Sequence, residues 1–128
     1  MSSLIRYEPD PDRPGWMIWE ALVGQRFNDL MGTVRVRAEG EGRARCRLFT
    51  DERHGNLTGS LHGGATMGFI DIALFAAART MGLEDIPGAL TLDASIQFIG
   101  AGVIGEPLDA VIELLRETRG FMFMRGTL

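Results

Sequence analysis

Asn56-Leu57-Thr58-Gly59-Ser60-Leu61-His62-Gly63-Gly64 runs without a break into an apolar stretch that holds Asp71 and closes at Gly82, and the reading of this segment decides the fold. The spacing predicts a helix over 62–81, with Gly82 as its C-terminal stop. Met67, Phe69, Ile70, Ile72, Ala73, Leu74, Phe75 and Ala76 point in nearly every direction around a 3.6-residue period, so no broad polar face is left for water. Such a helix must be covered on most sides. Residues 61–78 are about long enough to suggest a membrane helix, but His62, Asp71 and three glycines within them favour a buried helix of a soluble protein.

The segments on either side supply the cover. Residues 33–38 alternate Val34 and Val36 with Arg35 and Arg37, and residues 44–49 alternate Cys46 and Leu48 with Arg45 and Arg47. A period of two on both sides of the turn Glu39-Gly40-Glu41-Gly42 predicts an antiparallel hairpin, one face packed and one face carrying arginine. Those arginines have the chemistry to meet phosphates, although a solvated sheet face is their commoner use. Residues 89–99, 107–116 and 121–128 read as further strands, bounded by Pro87-Gly88, by glycines between 100 and 105, and by Arg119-Gly120. One long helix wrapped by a curved antiparallel sheet is an α+β plan. Towards the N-terminus, Pro9, Pro11 and Pro14 without an apolar period describe a disordered lead-in over 1–15. Trp16, Trp19, Leu22, Val23, Phe27 and Leu30 approach helical spacing and predict a short covering helix over 16–30. Residues 16–128 then form a single domain, with no internal repeat or linker.

Composition sets the outer bounds. A chain of 128 residues, 45% hydrophobic and 23% charged, has material for one modest core. A net charge of -4 gives no general basic field for a nucleic acid backbone. A lone cysteine, Cys46, makes no internal disulfide, and the N-terminus lacks the order of a signal peptide. Both point to a reducing, cytoplasmic setting, with neither nucleic acid nor membrane as partner.

Four features of the central segment carry chemistry. Glycines at a helix start let a ligand approach the backbone, where first-turn amides lack intrahelical acceptors and present the positive end of the dipole. That arrangement can hold an oxyanion or polarise a carbonyl. Asp71 follows His62 by nine residues in apolar surroundings, where burial should raise its pKa and suit it to take a proton from water or to attack an acyl carbon. The plainer role for Asp71 is to pair with an arginine or cap a backbone group. His62, just before a glycine pair, reads as a residue that caps or orients the loop more readily than as a base. Asn56 in an Asn-Leu-Thr-Gly run reads by itself as a turn former. His54 is expected to be an exposed loop residue, because two histidines without a Cys or acidic cluster make a poor metal site. Thr91, Asp93, Ser95 and Gln97 alternate with Leu90, Leu92, Ala94, Ile96 and Phe98, and alternation alone turns the polar set to solvent. Phe121-Met122-Phe123-Met124 reads as core or as pocket lining.

Taken together, Gly55-Asn56, Gly59-Ser60-Leu61-His62-Gly63-Gly64, Asp71 and Leu90-Thr91-Leu92-Asp93 resemble the hotdog-fold acyl-CoA thioesterases, particularly the phenylacetate-degradation type. The likeness spans roughly residues 27–128. It implies a hotdog fold, hydrolysis of acyl-CoA-type thioesters to acid and thiol, and a homodimer or homotetramer with active sites between subunits. By matching position, Gly63 would offer its N–H to the thioester carbonyl, assisted by Asn56 of the same subunit, while Asp71 of the other subunit acts as nucleophile or general base. Thr91 takes the place of a hydroxyl that positions water, and His62 would steady the Asn56 loop. Gly64, Phe69, Phe75 and Phe98 are the candidate substrate contacts. No metal or redox cofactor is required, since coenzyme A is part of the substrate.

The same resemblance implies one strand more after 121–128, which leaves a bare sheet edge in this sequence. A neighbouring subunit, a further length of chain, or the 16–30 segment would cover it. A noncatalytic acyl-CoA or acyl-carrier binding module on the same fold is the alternative function. A hotdog dehydratase fits less well, because His62 sits at the helix mouth and not beside a carboxylate on the substrate's carbon chain.

Overall fold

The computed structural model of the chain describes residues 4–83 and 88–128. Six strands form one antiparallel sheet in sequence order: β1 (Ile5–Pro9), β2 (Met17–Ala21), β3 (Val34–Ala38), β4 (Arg43–Phe49), β5 (Pro107–Glu117) and β6 (Met122–Thr127). A short helix, α1 (Phe27–Met31), links β2 to β3, and the long helix α2 (Gly63–Thr80) lies between β4 and β5 in the chain. No helix among the described residues is long and apolar enough to cross a membrane.

The two-residue alternation sorts the sheet into an apolar inner face and a charged outer one. Val34 opposes Leu48, Val36 opposes Cys46, and Cys46 opposes Ala110, so these side chains share the inner face. They are buried against Phe69, Ile72, Ala73, Ala76 and Ala77 of α2. The alanines let the helix axis come close to the strands, and the Cys46 thiol donates to the Ala73 carbonyl at 3.5 Å. Burial pushes that thiol up to about 12, which keeps it protonated as a small core residue. On the outer face the arginines are paired, not free: Asp109 of β5 takes Arg47 at 2.6 Å and Arg45 at 3.0 Å, and Glu39 takes Arg45 at 2.8 Å.

Two N-terminal expectations fail. The lead-in contains β1, an edge strand whose Pro9 needs no ladder partner on its open side. Residues 16–30 form β2 and the five-residue α1 instead of one helix. Trp16 packs against the guanidinium groups of Arg37 and Arg47, 4.5 and 4.8 Å from its ring centroid, whereas Trp19 pairs with Val34 on the inner face. The apparent helical spacing was thus the sum of two faces of a strand and a separate helical turn. Since β2 sits between β1 and β3, this segment does not reach the open edge of β6.

The hairpin, the central helix and the strands at 107–116 and 121–128 form as expected. The expected strand at 89–99 does not: among the described residues it has no ladder partner, and the turn at Pro87-Gly88 falls partly outside them. This segment passes Asp71 at Thr91 and approaches Gly63 at Phe98, so it runs back over α2 in the opposite direction. A groove of about 710 Å³ separates it from β6, with Leu61, Ile70, Leu74, Phe98, Leu108 and Met124 among its walls.

Candidate active site

The entry to α2 is a chain of interlocked turns. Asp51 opens a 3-10 turn over Glu52–His54, accepting from the Arg53 amide at 2.9 Å while its own amide donates to Nδ1 of His54 at 2.9 Å. The Asn56 side-chain oxygen accepts from the Thr58 amide, the Thr58 hydroxyl and the Ser60 amide, each at 3.0 Å. Asn56 is therefore a turn former, and that duty fixes its amide plane. Its oxygen is fully engaged and its Nδ2 has no protein acceptor among the described residues, so the turn leaves a donor available.

His62 is the N-cap of α2, with φ -69° and ψ 134°, and its Nδ1 accepts from the Gly64 amide at 2.8 Å. This contact caps the helix start, consuming the Gly64 N–H and leaving those of Gly63 and Ala65 as first-turn amides without an acceptor among the described residues. A Cβ on Gly64 would lie 3.0 Å from Nδ1 of His62, whereas one on Gly63 would meet only the Phe98 ring at 3.8 Å.

Asp71 lies two turns further along α2 and is exposed in the single chain, contrary to the burial expected from its apolar neighbours. Those neighbours face the sheet, while the Met67–Asp71 side of the helix faces outward. Among the described residues it pairs with no arginine; its partner is Thr91, whose hydroxyl donates to Oδ1 at 2.5 Å. Thr91 is exposed, as the alternation implies, yet its hydroxyl is turned onto Asp71 of α2, and Leu90 and Leu92 are turned out too, 80% and 77% exposed. Gly63 and Asp71 are eight residues apart on one helix, about 12 Å along its axis at 1.5 Å per residue. Within one chain they do not converge on a single carbonyl group.

The thioesterase superfamily profile matches residues 58–128, more than half of the sequence. The chain belongs to the thioesterase superfamily. Acyl-coenzyme A thioesterase 13 of Homo sapiens and of Pongo abelii are each 24% identical to it over 103 residues, which is 77% of this chain and 69% of theirs. Among solved structures, zebra fish thioesterase superfamily member 2 superposes with a TM-score of 0.61 at 24% identity, covering 80% of this chain and 83% of that one. Thioesterase superfamily member 2 of Mus musculus gives 0.61 at 19% identity, over 78% and 82%. These likenesses establish the hotdog fold, in which α2 is the enclosed helix.

Within this thioesterase-superfamily domain the expected substrate contacts divide. Phe98 walls the groove and touches the Gly63 position. Phe69 does not: it is fully buried between α2 and the sheet. Phe75 is partly buried against the same core. The helical period places both on the sheet side of α2, and a sequence reading without the sheet's position could not separate them from Phe98. The other correction is His54, which is 1% exposed and not on the surface. No cluster of three His, Cys, Asp or Glu groups able to hold a metal ion occurs among the described residues.

Proposed function

We propose that this domain hydrolyses acyl-CoA thioesters to a carboxylic acid and free thiol, in a site completed by a second copy of the chain. The observation that carries the proposal is the disposition of α2: an unengaged Gly63 N–H at its start and a Thr91-held, exposed Asp71 carboxylate about 12 Å along it. Two such helices related by a two-fold axis and lying antiparallel bring Gly63 of each towards Asp71 of the other. The outward Leu90 and Leu92 and the half-exposed Met67 flank Asp71 and form an apolar surface suited to being covered in this way.

In that site the thioester oxygen is received by the Gly63 N–H and the Asn56 Nδ2, with His62 holding the turn between them. Donors fixed at an oxygen that gains negative charge stabilise the transition state more than the substrate. Asp71 of the partner subunit then takes the proton of a water that adds to the acyl carbon, and the tetrahedral intermediate expels CoA thiolate, which recovers that proton. The nucleophilic variant has Asp71 add directly, forming an anhydride that water opens. Neither route asks for a metal or redox cofactor.

Free thiol released from short, aryl and long acyl-CoA substrates tests the proposal, with wild type and Asp71→Asn side by side. The expected result is turnover that Asp71→Asn lowers about 10²- to 10⁴-fold while binding persists. A folded wild-type protein that binds acyl-CoA and releases no thiol is a binding module instead. One turnover in ¹⁸O-water establishes the anhydride route if label enters Asp71, which requires water to open the anhydride at the aspartyl carbon; opening at the acyl carbon puts the label in the released acid, as general-base catalysis does.

A further inference from the structure

His54 is 1% exposed, and each of its polar groups is engaged. Its amide donates to the Asp51 carbonyl at 3.0 Å and its carbonyl accepts from the His62 amide at 2.7 Å. Nδ1 accepts from the Asp51 amide at 2.9 Å, and Nε2 lies 3.2 Å from the Leu30 carbonyl oxygen. A backbone amide only donates and a carbonyl only accepts, so both ring contacts are hydrogen bonds only for the neutral imidazole with its proton on Nε2. The ring thus ties the end of α1 to the 3-10 turn, and the backbone carbonyl of the same residue ties that turn to the N-cap of α2.

The His62–Gly63 peptide is held on both sides. His62 N–H is fixed by the His54 carbonyl, and the Gly64 N–H after it by Nδ1 of His62. The peptide that carries the Gly63 N–H is fixed at its other end, where the His62 carbonyl accepts from the Thr66 amide at 3.1 Å, so the aim of that N–H follows from where the N-cap sits, and the N-cap is tied to His54. We propose that His54 is a positioning residue for the thioester site, a buried neutral strut that aims the Gly63 N–H at the substrate oxygen. This rests on the acyl-CoA hydrolase reading above. Displacing such a donor by even part of an ångström weakens the transition state more than the ground state. The loss should therefore fall on kcat.

Three substitutions test this. His54→Leu keeps the ring's bulk without either hydrogen bond, His54→Ala removes both, and His54→Asn retains an acceptor near the position of Nδ1 for the Asp51 amide. In protein shown to be folded by circular dichroism and assayed well below its own melting temperature, Leu and Ala should lower kcat by about 10- to 100-fold, with KM changed by less than about threefold. Asn should recover most of that loss. The amide resonance of Gly63, followed in ¹⁵N-labelled protein, should shift in the Leu variant while amides of β3 to β5 hold their positions. A folded Leu variant with wild-type kcat and an unmoved Gly63 amide overturns the proposal. Should Ala fail to fold, the Leu and Asn pair carries the same comparison. If wild type releases no thiol, the function reading fails, and the Gly63 shift alone decides whether His54 aims that amide.

Discussion

Thr91 gives its hydroxyl proton to Oδ1 of Asp71 at 2.5 Å, joining the middle of α2 to a segment twenty residues further along the chain. The contact fixes the carboxylate's rotamer and leaves Oδ2 to meet water or an acyl carbon. Thr91→Val keeps the shape and removes the donor. It should lower kcat about 10- to 100-fold, the worth of one hydrogen bond to a charged group. Asp71→Asn should lower it about 10²- to 10⁴-fold. Since both act on one carboxylate, the double variant should be no slower than Asp71→Asn alone, a non-additivity read directly from the four kcat values.

The separation of Phe69 from Phe98 predicts opposite phenotypes. Phe69 is wholly enclosed by β-strand and helix side chains, so Phe69→Ala should destabilise the fold by about 3–5 kcal/mol in chemical denaturation and leave acyl preference unaltered. Phe98 is 54% exposed on the groove wall beside Gly63, and Phe98→Ala should cost less than about 1 kcal/mol while changing the ranking of acyl substrates.

How much of this was legible depends on whether a residue's role is written in a local period. Residues 63–80 are apolar around the helix and Val34 to Leu48 alternate cleanly, so α2 and the β3–β4 hairpin follow from spacing. The β1–β2 hairpin does not: Pro9, Pro11 and Pro14 look like a loop, and only the edge position of β1 and the turn about Asp10 make them compatible with strands. Residues 89–99 alternate as a strand should, but a ladder needs a neighbour, and no described strand adjoins them. Asp71 was visible as a carboxylate among apolar residues, yet its exposure depends on which side of α2 the sheet covers. His54 leaves almost no trace, since a polar residue in Asp51-Glu52-Arg53-His54-Gly55-Asn56 breaks no pattern. Its one signal is the Asp-x-x-His spacing of a capping box, which the 3-10 turn uses.

The outer-face ion cluster makes an acid-stability prediction. Hydrogen bonds from Arg47, then from Arg45, hold the Asp109 carboxyl below the usual carboxylate range against the opposing effect of partial burial. A carboxyl with a depressed folded-state pKa adds stability that is complete above its unfolded value, near about 3.9, and is lost as pH falls from there through the folded value. Asp109→Asn should therefore lower stability by about 1–3 kcal/mol at neutral pH. Its denaturation midpoint should then fall less steeply than that of wild type below about pH 4.

A site shared between two chains makes a prediction that a one-chain site cannot. Gly63→Pro removes the N–H at the first helical position, where proline's fixed φ is tolerated, and Asp71→Asn removes the carboxylate. Each homodimer then has two defective sites. In a mixed dimer, one site combines the intact Gly63 of the Asp71→Asn chain with the intact Asp71 of the Gly63→Pro chain, and the other site holds both lesions. Random reassociation of equal amounts makes half of the dimers mixed, so the mixture should recover about one quarter of wild-type activity. Leu92→Glu in both chains should abolish that recovery by weakening the apolar contact, and light scattering should report the matching loss of dimer. Recovery no greater than the sum of the two variants assayed separately would place Gly63 and Asp71 in different functions.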